Sequence, residues 1–127
     1  MIHLEMLNQI TTVWMVLAVI TFFFLLRQTQ PYGRHTSSKW GALMSNRWGW
    51  FIQEAPSMIF LSLFFFLGTI QKTPVSYLLW GLWMIHYINR TFVFPFRIKT
   101  KGKKIPVMIV AAAICFNFMN GFVNGYW

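Results

Sequence analysis

Four long apolar stretches alternate with short polar or basic segments along this chain. The first runs from Met6 to Leu26, between Glu5 and Arg27. That is close to the roughly 20 residues a helix needs to cross the hydrocarbon of a bilayer. The second, Ala55 to Ile70, is rich in Phe and Leu and is stopped by Gln71-Lys72-Thr73-Pro74. The third runs from Val75 to about Phe94, where Pro95 lacks an N–H and crowds the preceding turn. The fourth begins near Ile105 and reaches at least Val123. The pattern predicts an all-α integral membrane protein of about four transmembrane helices, near residues 6–26, 55–70, 75–94 and 105–123. The second and third spans are short and require tilt or aromatic anchors. Trp40, Trp48, Trp50, Trp80, Trp83 and Trp127 are available for that task. The first span reads as a retained helix, because no basic residue precedes it and Gln28–Pro31 is a poor cleavage site.

Composition agrees. Of the 127 residues 57% are hydrophobic and only 10% charged, against about a quarter charged in ordinary soluble domains. A net charge of +9 raises the possibility of nucleic-acid binding, since basic patches attract phosphate. The placement of the charges excludes it. Arg27, Arg34, Lys39 and Arg47 lie between the first two spans, and Arg97, Lys99, Lys101, Lys103 and Lys104 lie between the last two. The turn between the second and third spans holds only Lys72, and the N-terminal segment holds no Lys or Arg. By the positive-inside rule both basic loops face the cytoplasm, with the N-terminus and Trp127 on the opposite side. The same rule governs the endoplasmic reticulum and a bacterial inner membrane, so it does not choose between them. The single cysteine, Cys115, rules out an internal disulfide and reads as packing, and no metal site is expected.

The candidate chemistry is a set of polar groups at membrane depth. Glu54 is one of only two acids. A carboxylate in hydrocarbon must be paired or protonated, which makes it a functional candidate; the plainer alternative is an interfacial acid at a helix start. Burial would favour the protonated acid. In the third span Tyr87, Arg90, Thr91 and Phe94 share one helical face, with Arg90 either snorkelling to the edge or paired. In the fourth, Asn117, Asn120, Gly121 and Asn124 do the same. They are either helix–helix glue, with Gly121 and Gly125 permitting close approach, or the polar wall of a ligand cavity. Because the second span enters from the cytoplasmic side and the third leaves towards it, Glu54 and Arg90 can share a depth, with Tyr87 about a turn deeper. Glutamate, tyrosine and arginine together suit the polarisation of a carbonyl oxygen. No HExxH, GxSxG, Walker or GxGxxG pattern is present, so hydrolase and soluble nucleotide-binding classes lack support. A helix-association protein without catalysis is the main alternative, and a small transporter is a weaker one because the polar groups cluster instead of lining a path.

Four strings in order, Tyr32-Gly33-Arg34-His35-Thr36, Trp50-Phe51-Ile52-Gln53-Glu54-Ala55-Pro56-Ser57, His86-Tyr87-Ile88-Asn89-Arg90-Thr91-Phe92 and Asn120-Gly121-Phe122-Val123-Asn124-Gly125-Tyr126-Trp127, resemble the steroid 5α-reductase family. The resemblance implies the first part of a bundle of about seven helices. It also implies an NADPH-dependent membrane enzyme that reduces the C=C bond of a 3-oxo-4-ene steroid or similar lipid. On that basis Glu54 and Tyr87 are expected to hold the substrate's keto oxygen. Trp50, Gln53 and Asn120 are expected on the substrate side, and Arg90 supports the pair or lies near the cofactor. Family members are about twice as long, and most of their NADPH-binding residues lie in the second half. The chain is therefore expected to be the substrate-side half without the cofactor-binding half, and to turn nothing over alone.

Overall fold

The first apolar stretch forms one helix, α1 (Leu4–Leu25). The computed structural model describes residues 3–99 and 102–127, and the chain divides into two units, Met1–Gln30 and Pro31–Trp127. α1 makes up the helical part of the first unit. Val13, Val16, Ile20 and Phe23 on it are each more than half exposed, as expected of a helix solvated by lipid tails. Its threonines satisfy themselves locally: the hydroxyls of Thr11 and Thr12 donate to the carbonyls of Leu7 and Asn8 at 2.8 and 2.9 Å.

The second unit holds α2 (Asn46–Leu67), α3 (Pro74–Ile88), a π-helical segment (Asn89–Val93), α4 (Phe94–Arg97) and α5 (Val107–Tyr126). Helices α1, α2 and α5 are each long and apolar enough to cross a membrane. α3 alone is too short, but with the π segment and α4 it runs unbroken from Pro74 to Arg97. The protein is an integral membrane protein built of helices.

The observed bounds differ from the hydropathy pattern in three places. α2 begins at Asn46, not near Ala55, because its polar first turns are buried in the bundle: Asn46, Gln53 and Glu54 are all buried. The third helix passes Pro95 and ends at Arg97. A wider π turn, in which the N–H of Phe94 reaches the carbonyl of Asn89, relaxes the i−4 register that proline disrupts. α5 starts at Val107 because Ile105 and Pro106 belong to a short ladder, β1 (Leu43–Ser45) with β2 (Lys104–Pro106), antiparallel and pairing Met44 with Ile105. The N–H of Asn46 donates to the Lys103 carbonyl, the N–H of Val107 to Ala42, and the Thr36 hydroxyl to Lys104. The two basic loops are thus tied together at one end of this unit; Lys101 lies outside the described residues.

α2 and α5 form the tightest seam. A Cβ added to Gly121 would stand 2.8 Å from the backbone N of Leu61, and one added to Gly125 would stand 2.8 Å from the Leu61 carbonyl oxygen. Only glycine lets the two backbones come this close. Phe60, Phe64, Phe118 and Phe122 continue the seam edge to face, with ring centroids 5.1–5.6 Å apart. Pro56 cannot donate to the Ile52 carbonyl within α2; at the next residue α5 reaches the same turn, where Asn117 Nδ2 donates to the Gln53 carbonyl at 2.6 Å. At the opposite end from the ladder, Lys72 Nζ donates to the carbonyls of Gly125 and Tyr126 at 2.8 and 3.2 Å, where the dipole of α5 favours a cation. Burial pulls the Lys72 ammonium below the usual lysine range. Cys115 is exposed on α5 and does not belong to the core expected for it.

Candidate functional site

Glu54 is the ninth residue of α2 and only 7% exposed. It is not an interfacial acid at a helix start. Arg90, in the π segment, meets it fork to fork: Nη2 donates to Oε1 at 2.7 Å and Nε to Oε2 at 3.0 Å. This is the geometry of an ion pair, not of the lone protonated acid that burial alone would favour. Gln53 Nε2 adds a third donor at 3.3 Å. The guanidinium is further covered by the rings of Trp50 and Phe94, at 5.1 and 5.6 Å. Four of the residues expected at the site, Trp50, Gln53, Glu54 and Arg90, therefore form one cluster.

The π turn contributes to this geometry. Arg90 and Thr91 lie in it, and Thr91 is fully buried with no hydrogen bond to its Oγ1 among the described residues. Gln53 Oε1 is likewise buried and unpartnered. Buried polar atoms left unsatisfied are costly, and such atoms are usually satisfied by water or ligand.

Tyr87 stands one turn before Arg90 on the same helix and opens onto a cavity of about 690 Å³ between α2, α3 and α5. Leu61, Phe65, Trp80 and Trp83 form much of its wall. The size and apolar lining are those of a site for a drug-sized or lipid-sized molecule. The Tyr87 ring stacks on Trp83 with centroids 4.8 Å apart and meets His86 edge on. No hydrogen bond ties its hydroxyl to another described residue. Trp80 and Trp83, which the pattern offers as interfacial anchors, line this cavity; Trp80 Nε1 donates to Ser62 at 3.1 Å. The signal for Trp83 was its spacing of four residues from Tyr87, which stacks the two rings on one face.

The asparagines divide. Asn117 bonds to α2, as described. Asn120 is not brought to the Glu54 cluster or the cavity wall; its carbonyl and Oδ1 accept from Asn124 Nδ2 at 2.8 and 3.0 Å. Asn124 does reach the cavity. Among the described residues no cluster of side chains is suited to a metal.

No family model matches the chain. It is 35% identical over 102 residues to the steroid 5-alpha-reductase DET2 of Arabidopsis thaliana, covering 76% of this chain and 39% of that protein. Its likeness to the Solanum lycopersicum protein of the same name is 31% over 126 residues, 97% of this chain and 49% of the relative. The human 3-oxo-5-alpha-steroid 4-dehydrogenase 2 is 31% identical over 104 residues, 76% of this chain and 38% of that protein. The chain is related to the steroid 5-alpha-reductases. It spans less than half the length of these curated relatives. Relatedness to steroid 5-alpha-reductases brings the expectation of NADPH with it, but the Tyr87 cavity does not fit a dinucleotide. The cavity wall holds no Lys or Arg to meet phosphates, and Arg90 already spends two donors on Glu54.

Proposed function

We propose that this chain is the substrate-side part of a membrane reductase that acts on the enone of a 3-oxo-4-ene steroid or a similar lipid. The observation that carries this reading is the free hydroxyl of Tyr87 on the wall of an apolar cavity, one helical turn from Arg90, which is half-buried and paired with the buried Glu54. The steroid skeleton would lie among Leu61, Phe65 and Trp80, with its keto oxygen at Tyr87. When an enone is reduced at its β-carbon, negative charge collects on that oxygen. A donor fixed in a water-poor pocket stabilises the enolate without reorganising at the moment of reaction. Tyr87 supplies that hydrogen bond. Arg90 has donors left after its bonds to Glu54 and adds positive charge nearby, while Glu54 holds Arg90 in place. Trp50 and Gln53 complete the support of that pair. The reducing equivalents, from NADPH in this reading, are bound outside this cavity, whose wall holds no Lys or Arg. The membrane orientation follows the charge rule, with the ladder-linked basic loops in the cytoplasm and the N-terminus opposite.

Binding of progesterone to the chain in lipid nanodiscs, followed by quenching of the cavity tryptophans, tests this. Tyr87→Phe is expected to weaken binding about tenfold, the equivalent of one hydrogen bond to a carbonyl. Unchanged affinity in that variant would remove the role assigned to Tyr87. The purified chain supplied with NADPH is expected to reduce no enone, and measurable turnover would overturn the division of labour proposed here.

A further inference from the structure

The cavity has two polar ends. Tyr87 marks one, and Ser76 and Asn124 mark the other. Ser76 and Tyr87 lie on the same helix, so the two ends are about 16 Å apart at 1.5 Å of rise per residue. Between them the wall is mostly apolar, with Leu61, Phe65, Leu79 and Trp80, and carries one buried N–H, Trp83 Nε1, with no partner among the described residues. A four-ring skeleton fits this length with a hydrogen bond at each end.

The two polar groups at the far end are not equivalent. The Ser76 hydroxyl is consumed in the cap of α3, where it accepts from the Thr73 N–H at 3.3 Å and shares a bond with the Thr73 hydroxyl at 3.0 Å. Asn124 uses its Nδ2 on Asn120, and its side-chain oxygen is left with no hydrogen bond among the described residues. Asn120 thereby fixes the amide so that an acceptor, not a donor, is left for the cavity. An acceptor recognises a hydroxyl and gains nothing from a ketone or a hydrocarbon.

Resting on the reading of Tyr87 as the keto-binding group, we propose that Asn124 is a specificity-determining residue that selects 3-oxo-4-ene steroids bearing a hydroxyl at the end remote from the enone. Three probes that share the enone separate the possibilities: testosterone carries a remote hydroxyl, androst-4-ene-3,17-dione a remote ketone, and androst-4-en-3-one neither. Affinities are read in nanodiscs from quenching of Trp80, Trp83 and Trp127 on the cavity wall.

Testosterone is expected to bind about tenfold more tightly than the other two. Asn124→Leu is expected to erase that preference while leaving affinity for androst-4-en-3-one unchanged. Retained affinity of this variant for androst-4-en-3-one shows that it is folded and that only the remote contact is lost. Equal binding of the three probes to the unaltered chain, or persistence of the preference in Asn124→Leu, overturns the assignment of Asn124 and leaves the Tyr87 reading standing. If none of the three binds, the steroid reading itself falls, and this inference with it.

Discussion

The two faces of α2 solve different problems. Towards α5 the helix meets glycines at Gly121 and Gly125, and the backbones touch with no room for a methyl group. Towards α3 it presents Gln53, Glu54 and Leu61 to an ion pair and a cavity. In a bilayer, lipid tails are as apolar as leucine, so close packing and hydrogen bonds must supply the association that water drives elsewhere. The α5 face spends all its surface on that. The α3 face gives up contact area for a space, and an ion pair with aromatic cover holds it instead. One face is built for stability, the other for occupancy.

The largest disturbance expected is Glu54→Ala. It leaves the Arg90 guanidinium without its anion; because a third of that side chain is exposed, the loss is about 3–4 kcal/mol, the lower part of the range for a broken buried pair. Unfolding in detergent, followed by far-ultraviolet circular dichroism, should show it. Glu54→Ala/Arg90→Met should recover part of the loss, because the second change removes the orphaned charge. A smaller cost of about 3 kcal/mol is expected for Gly121→Val, since the nearest obstacle to its side chain is the backbone of Leu61 and not a movable side chain. The same measurement reads it. Gly121→Val should lower stability with little change in progesterone affinity among molecules that remain folded. Equal effects of this variant on stability and affinity would mean that the two faces are not separate devices.

Asn117→Leu removes one buried hydrogen bond to the Gln53 carbonyl, for about 1 kcal/mol. Of the four, Lys72→Met should be the mildest. It removes a cation from the end of α5, with an effect of about 0.3–1 kcal/mol that shrinks as salt is raised.

Much of this arrangement was legible in the chain. Hydropathy located the helical segments, and the opposite directions of the second and third put Glu54 and Arg90 at one depth. That depth permits contact but leaves open whether Arg90 snorkels or pairs; the bidentate bond decides it. What hydropathy could not show was polar surface that the bundle buries: Asn46 to Glu54 reads as a loop by composition but folds as helix, because Asn46, Gln53 and Glu54 are turned inward. The π turn was also hidden. Pro95 announces a break, and only the packing of Thr91 and Arg90 decides that the helix widens by one residue and continues. The three asparagines look equivalent by spacing, yet Asn117 bonds to α2 while Asn120 and Asn124 bond to each other, because a 3.6-residue period fixes a face and not a neighbour.

The ladder between Leu43–Ser45 and Lys104–Pro106 has a consequence for biogenesis. Its strands are separated in sequence by two membrane crossings, so it cannot close until the start of α5 has been synthesised, and closing so long a loop carries an entropic cost. It also cannot close if either loop has been delivered to the wrong side. Pairing of these six residues therefore requires both loops on one side of the membrane: a chain threaded with one hairpin inverted would leave both strand edges unpaired.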